Sequence, residues 1–410
     1  MFLRVINHNV NIEFILKTIA FVTPKIDTFS NPTLIYLFEK LIEKNYNILF
    51  FGYEQMFIPR EIRSRLKFYQ LPYNFYEFSF KYRNIKKLIA QSYYIYAALK
   101  IKNKAAKIIC VDPMGLVIAG RMNKLVNLEI IYASFEIFFE DEFYVQRKKI
   151  IKKLEMKYSR EVDLVVVQDS MREKLLRIVN NFSKSTKFLH IPVSPKPIDF
   201  KPGGYDIYAD LNIPRDKKII IYSGTLMAWS GVNELLDLLP DKLRSDFWIV
   251  IHSHHKLSDK DEIKIKLKNL EDMNYNVTFH NKPFYENKEY LNFLSACHIG
   301  IATYFPNNVD IFAGKNIQEI GLSSGKFSTY MIVGLPTITT NNTIYKELNK
   351  KYNFGETIEK TEDIPSASER ILDDHEKKSA NCKELYEKEL NPVSRIEQLL
   401  NYIEDSKTLN

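Results

Sequence analysis

The chain has 410 residues, more than one ordinary hydrophobic core holds at roughly 100 to 200 residues per domain. With 45% apolar and 26% charged residues, there is enough Ile, Leu, Phe and Tyr to offset the entropy of folding, which excludes a disordered chain. The formal charge of +8 divides into +13 over residues 1–200 and −5 over the rest, so two units with different partners are predicted.

Cys110, Cys297 and Cys382 are odd in number and too far apart for a disulfide framework or a zinc spacing, which points to a reducing compartment. Asn7, His8, Asn9, Asn11, Glu13 and Lys17 break the N-terminal apolar stretches before a signal-peptide core forms. No run approaches the roughly 18 apolar residues of a membrane span. A soluble or peripheral protein facing the cytoplasm is expected.

In chain order, Ile19–Thr23 reads as a buried strand. A helix follows from Pro32 to Lys44, with Leu34, Leu37, Phe38 and Leu41 at helical spacing. Asn47–Gly52, Lys107–Val111, Glu129–Tyr132 and Asp163–Gln168 are further strands, the last leading into a helix, MREKLLRIV, with Ser170 as the expected N-cap. Between Ile191 and Gly204 four prolines and two glycines mark a linker. A second series then begins with strands at Lys218–Tyr222, Phe247–His252, Val277–His280, Ile299–Tyr304 and Pro336–Thr340. The tail reads as two charged helices broken at Asn391-Pro392. This rhythm predicts an α/β protein of two Rossmann-like, doubly wound domains facing across a cleft, residues 1–200 and 201–385. A C-terminal helix in 386–410 is expected to pack back on the first domain.

Two loops carry the strongest chemical signals. In Gly321-Leu-Ser-Ser-Gly-Lys-Phe-Ser-Thr-Tyr-Met-Ile-Val-Gly-Leu-Pro, the small residues Ser323, Ser324 and Gly325 open a helix beside Lys326. Free N–H groups, two hydroxyls and an ammonium make an anion cradle there, although a capped helix with a surface lysine fits the same pattern. Ser223-Gly224-Thr225 follows the strand KIIIY, where glycine lets a phosphate approach the backbone.

Together, IIIYSGTL…WSGVNELL and GLSSGKFSTYMIVGLPTI, about a hundred residues apart, resemble the donor domain of retaining GT-B glycosyltransferases, notably glycosyltransferase family 4. NVTFHNKPFYENKEYLNFLSACHIGIATY, IIYASFE and VDLVVVQDSMREKLL are similar to further segments of that family. The resemblance implies a nucleotide-sugar donor on the second domain, a glycan or lipid-linked glycan acceptor on the first, and transfer with no obligatory metal or other cofactor. By position it assigns Ser223, Gly224, Thr225, Ser323, Ser324, Gly325 and Lys326 to the donor. The sequence departs from the family where two glutamates are usual: Gly321 and Thr329 stand there, with Glu319 as the nearby substitute. Trp229-Ser230 stands where a lysine or arginine is usual. In the acceptor half Ala133 and Phe135 replace an Asp and a His, leaving Glu136.

Glu136, as an acceptor-hydroxyl ligand or proton acceptor, and Asp112 after the strand KIICV are the candidate acceptor-binding residues, each at a strand's carboxyl end, and Glu136 and Lys326 are the candidate catalytic pair. Glu140, Asp141 and Glu142 read as a solvated run. His252-Ser-His-His255 has no Cys or carboxylate pair at a ligand spacing, so no metal site is expected. Asp259 and Asp261 read as helix caps. Between Phe57 and Lys107, arginines and lysines alternate with tyrosines and phenylalanines, as at an anionic membrane surface or in a tyrosine-rich core with a basic rim. No nucleic-acid motif accompanies the charge. The rival functions are a catalytically inactive scaffold of the same fold and a nucleotide-sugar epimerase.

Overall fold

A computed structural model describes residues 17–71, 83–142, 146–200, 202–239, 242–254, 257–284, 286–307 and 314–405. Part of the aromatic and basic stretch, from Pro72 to Tyr82, and His255 lie outside these residues.

Seven parallel strands form the first sheet: β1 (Thr18–Thr23), β2 (Asn47–Gly52), β3 (Leu66–Gln70), β4 (Ala105–Val111), β5 (Glu129–Ala133), β6 (Leu164–Val167) and β7 (Lys187–His190). Six form the second: β8 (Lys218–Ser223), β9 (Phe247–His252), β10 (Val277–His280), β11 (Ile299–Ala302), β12 (Thr337–Thr340) and β13 (Gly355–Ile358). The orders are β3-β2-β1-β4-β5-β6-β7 and β10-β9-β8-β11-β12-β13. Central strands such as IAFVT and KIIIY are buried along nearly their whole length, because helices cover both faces of a parallel sheet and both must be apolar.

Three strands escape the sequence reading: β3, β7 and β13. All three are edge strands. LKFYQ, KFLH and GETI each leave residues half-buried or exposed, so none forms the continuous apolar run that marks a central strand. The helix after β6 is capped by Asp169, whose Oδ1 accepts from the Arg172 N–H at 2.9 Å. Ser170 is its first helical residue.

Each strand order reverses at one place, between β1 and β4 in the first sheet and between β8 and β11 in the second. Successive crossovers diverge there and leave a crevice at the carboxyl ends of the two strands.

The chain passes between the sheets twice. Its first crossing follows β7 through Ile191 and Pro192, where the Thr33 hydroxyl donates to the Pro192 carbonyl at 2.7 Å. A return crossing uses the turn Tyr386–Leu390, and the Tyr386 hydroxyl meets the Pro195 carbonyl at 2.8 Å, so the two passages touch. Beyond Pro392 the helix Val393–Glu404 runs over the first sheet. Ile396, Leu399, Leu400 and Ile403 join a core that includes Phe21, Phe38 and Ile131. Tyr402 lies beneath the Lys107 and Lys187 ammonium groups, 4.5 and 5.6 Å from its ring centroid. Leu400 is buried on that face, so Leu400→Ala should lower stability by about 2–5 kcal/mol in urea titration. Ile178→Ala, at an exposed position, should be near neutral.

Candidate active site

At the first reversal, β4 is followed directly by Asp112, which takes φ +58° immediately before Pro113. A non-glycine residue in this left-handed region stores strain, and such strain concentrates at sites where side-chain placement matters. Here it aims the carboxylate across the end of β5. Oδ1 accepts from the Phe135 and Glu136 N–H groups at 2.7 and 2.9 Å. Oδ2 lies 2.6 Å from the Nζ of Lys25, two residues beyond β1. Lys25 also faces Glu136 Oε1 at 3.9 Å, while Glu136 Oε2 accepts from Asn316 Nδ2 at 2.6 Å. Asp112 and Glu136 thus meet, with Lys25 between them. Burial opposes the Lys25 ammonium, but Asp112 and Glu136 outweigh it and hold its pKa above the ordinary lysine value. Burial also pushes the Glu136 carboxyl up, against the pull of Lys25.

Behind this cluster Arg172 is fully buried. Its Nε donates to Gln168 Oε1 at 2.8 Å. One terminal nitrogen reaches the Phe135 carbonyl (2.6 Å) and Asn316 Oδ1 (3.1 Å); the other reaches the carbonyls of Asn316 (3.5 Å) and Glu319 (3.2 Å). Asp169 Oδ2 accepts from the Leu322 N–H at 2.9 Å, and the Ser323 hydroxyl donates to the Phe135 carbonyl at 3.1 Å. The acidic run Glu140–Glu142 also joins this junction. Glu142 Oε1 accepts from the Lys315 N–H at 2.7 Å, and Asp141 pairs with the Lys315 ammonium.

At the second reversal the two motifs that sequence places a hundred residues apart come together. Ser324 caps the helix Gly325–Val333, its hydroxyl accepting from the Phe327 N–H at 3.1 Å and bonding the Tyr304 hydroxyl. Lys326, in the first turn, reaches back over β8. Its Nζ is 3.6 Å from the Tyr222 ring centroid and 5.1 Å from that of Tyr304, buried, with no hydrogen-bond partner among the described residues. Desolvation alone drives its pKa well below the ordinary lysine value. Gly224, at φ +156°, would place a Cβ 3.0 Å from the Lys326 Cε, so the lysine packs closely over the glycine. Trp229 stacks on Tyr304, with ring centroids 5.5 Å apart.

Other assigned donor residues are engaged within the protein. The Ser223 hydroxyl bonds His252 Nδ1 at 2.6 Å and the Tyr290 hydroxyl at 2.7 Å. Thr225 is exposed, and its carbonyl accepts from the Tyr222 hydroxyl at 2.7 Å. Thr329 Oγ1 turns back to the Gly325 carbonyl at 2.7 Å. The Glu319 carboxylate holds the Thr343 N–H and hydroxyl at 3.2 and 3.1 Å, at the start of the helix Thr343–Tyr352. Gly325 packs near Val193 of the first crossing. Burial, with His254 and His280 nearby, pushes the His252 pKa down to about 3; it is a neutral core imidazole. Among the described residues no group of three His, Cys, Asp or Glu is placed to hold a metal.

Sequence reasoning missed Lys25, Arg172 and Asn316. Lys25 had a usable signal, because it lies just past the strand that begins the reversal. Arg172 and Asn316 had none: their value is in contacts 144 residues apart.

A scan against protein-family models gives no match, and a search of curated proteins gives none either. Solved structures do match, and they show that the two domains have the GT-B arrangement. Sucrose-phosphate synthase from Thermosynechococcus elongatus superposes with a TM-score of 0.68 at 16% identity, over 95% of this chain and 98% of that one. HepE of Anabaena, in complex with UDP and glucose, gives 0.66 at 10% identity, over 95% and 99%. WaaG, a glycosyltransferase involved in lipopolysaccharide biosynthesis, gives 0.63 at 12%, over 94% and 100%.

Gly321 has φ +46°, and an added Cβ would stand 2.4 Å from Asp169 Oδ2. Gly321→Ala should therefore cost about 1–3 kcal/mol, read as a lower urea midpoint.

Proposed function

We propose that the protein is a glycosyltransferase moving a sugar from a nucleoside-diphosphate-sugar donor to a hydroxyl of a surface glycan or lipid-linked saccharide. Retention of configuration, independence from divalent ions and work at the cytoplasmic face of a membrane belong to the same reading. The observation that carries it is the buried Lys326 amine, with no hydrogen-bond partner among the described residues, at the start of a helix, over Gly224, at the reversal point of the second sheet. An amine desolvated in this way costs stability and is compensated when an anion arrives. As the sugar–phosphate bond breaks, negative charge grows on the leaving diphosphate, and the Lys326 ammonium with the helix N–H dipoles stabilises it where it develops. Across the cleft, Glu136 and Asp112, with Lys25 between them, offer acceptors and a donor for the incoming hydroxyl. In a retaining transfer the donor's own phosphate takes that hydroxyl's proton, so the carboxylates position it. Among the described residues no helix is long and apolar enough to cross a membrane.

The inactive-scaffold reading draws support from the internal hydrogen bonds of Ser223 and Thr329. Calorimetry with UDP- and GDP-sugars separates the two: binding of at least one donor, weakened by Lys326→Ala, is expected, and no heat with any donor favours the scaffold. In the transfer assay Lys326→Ala should lower turnover by about tenfold or more, and a chelator should leave it unchanged.

The lowered Lys326 pKa fixes a second outcome. Between that value and the ordinary lysine value near 10.5, the unfolded chain binds a proton that the fold resists, so the fold loses stability there. Lys326→Met should therefore be more stable than the wild type at neutral pH in urea titration, with the gap closing as pH rises through the ordinary lysine range. Equal midpoints at neutral pH would count against a strained amine.

A further inference from the structure

A hollow of about 540 Å³ opens on the second domain, within the roughly 300–1,000 Å³ of small-molecule sites. His280, the last residue of β10, forms part of its wall. It is 3% exposed, yet neither ring nitrogen has a hydrogen-bond partner among the described residues. Phe293 and Phe284 hold the imidazole in place, with centroids 5.0 and 5.5 Å away. Tyr205 crosses Phe284 edge to face at 6.3 Å, and its hydroxyl donates to Asp210 Oδ2 at 2.7 Å. Lys282 comes no nearer than 3.9 Å to the other Asp210 oxygen, and the exposed Glu289 lines the same hollow. Asp206 beside them is taken up by Arg215 at 2.6 Å. The hollow is separate from the reversal point. Ser223, His252 and His280 are register partners on β8, β9 and β10, and strands about 4.8 Å apart set His280 roughly 10 Å from the end of β8.

We propose that this hollow is a binding site for a neutral saccharide ring, distinct from the cleft. Burial pushes the His280 pKa down, so the imidazole is neutral and asks for one hydrogen-bond donor and one acceptor. Leaving both unmet costs stability, and a ligand that meets them removes the cost. A sugar hydroxyl both donates and accepts, so it suits the imidazole, the Asp210 and Glu289 carboxylates and the Lys282 ammonium alike. A simple anion would face two carboxylates. A simple cation would offer nothing to the imidazole N–H or to Lys282. The apolar face of a pyranose matches the Tyr205 and Phe284 rings. Where the sugar-transfer reading holds, the hollow is a second holding point for a glycan beside the cleft; the binding itself does not rest on that reading.

The test is NMR on the full chain with the methyl glycosides of glucose, galactose, mannose and N-acetylglucosamine, beside sodium phosphate and tetramethylammonium chloride. The His280 ring-nitrogen resonances, assigned by their loss in His280→Phe, should move with at least one glycoside and with neither ion. By saturation transfer the affinity for that glycoside should fall about tenfold in His280→Phe, which keeps a ring in the stack and loses two hydrogen bonds. Asp210→Asn, at an exposed position, should lower it about tenfold as well. UDP should leave the glycoside bound. Silence from every glycoside, a response to phosphate or tetramethylammonium alone, full affinity in Asp210→Asn or in a folded His280→Phe, or displacement by UDP each overturns the site. A glycoside bound by a protein that takes no nucleotide-sugar sinks the sugar-transfer reading and leaves the hollow standing.

Discussion

Arg172 has five N–H donors in a rigid fork and no water to satisfy them, so each must find an oxygen inside the protein. Five do, and they come from both domains: Gln168 and Phe135 on the first, and two carbonyls and the Asn316 amide on the second. A buried guanidinium is tolerable only when all its donors are met, which makes the relative placement of the two sheets a condition for this side chain to be buried at all. Asn316 carries the constraint forward, because the amide that accepts from Arg172 also donates to Glu136. The position of the Glu136 carboxylate is thus set by a residue of the second domain.

The two reversal points divide the polar chemistry. At the first, Lys25 stands between two carboxylates that backbone N–H groups and the Asn316 amide also satisfy. At the second, an amine is left against two aromatic rings with no hydrogen-bond acceptor among the described residues. That asymmetry gives the cleft a prepared side and a demanding side. Tyr222 and Tyr304 soften the penalty through their ring faces, since a cation over an aromatic ring recovers part of the lost solvation.

Much of the architecture was legible because central parallel strands must be apolar along their length, and IAFVT, KIICV, KIIIY and FWIVIH announce themselves for that reason. Three of the four edges were silent, since β3, β7 and β13 mix exposed with buried residues. Of the site, Lys326, Gly224, Asp112 and Glu136 could be located from loops at strand ends. Whether a side chain turns toward a neighbour or the cleft could not: Ser223 reads like a phosphate ligand in sequence, yet its register places it beside His252 in the next strand. Gly321 reads as a lost carboxylate, while in the fold its left-handed backbone and the nearness of Asp169 admit little besides glycine. The acidic run at 140–142 looked solvated because its partner, Lys315, lies more than 170 residues away.

The helix Val393–Glu404 has a bearing on how the molecule is made. Its four apolar residues complete a core otherwise supplied by residues 19–193, so contacts spanning nearly the whole chain are needed to close the first domain. During synthesis that core stays incomplete until residues 393–404 have left the ribosome. The second domain has all its strands well before then. Long-range closure of this kind slows folding and leaves apolar surface open in the meantime. The core around Phe21 and Phe38 therefore closes only after the second domain has been made.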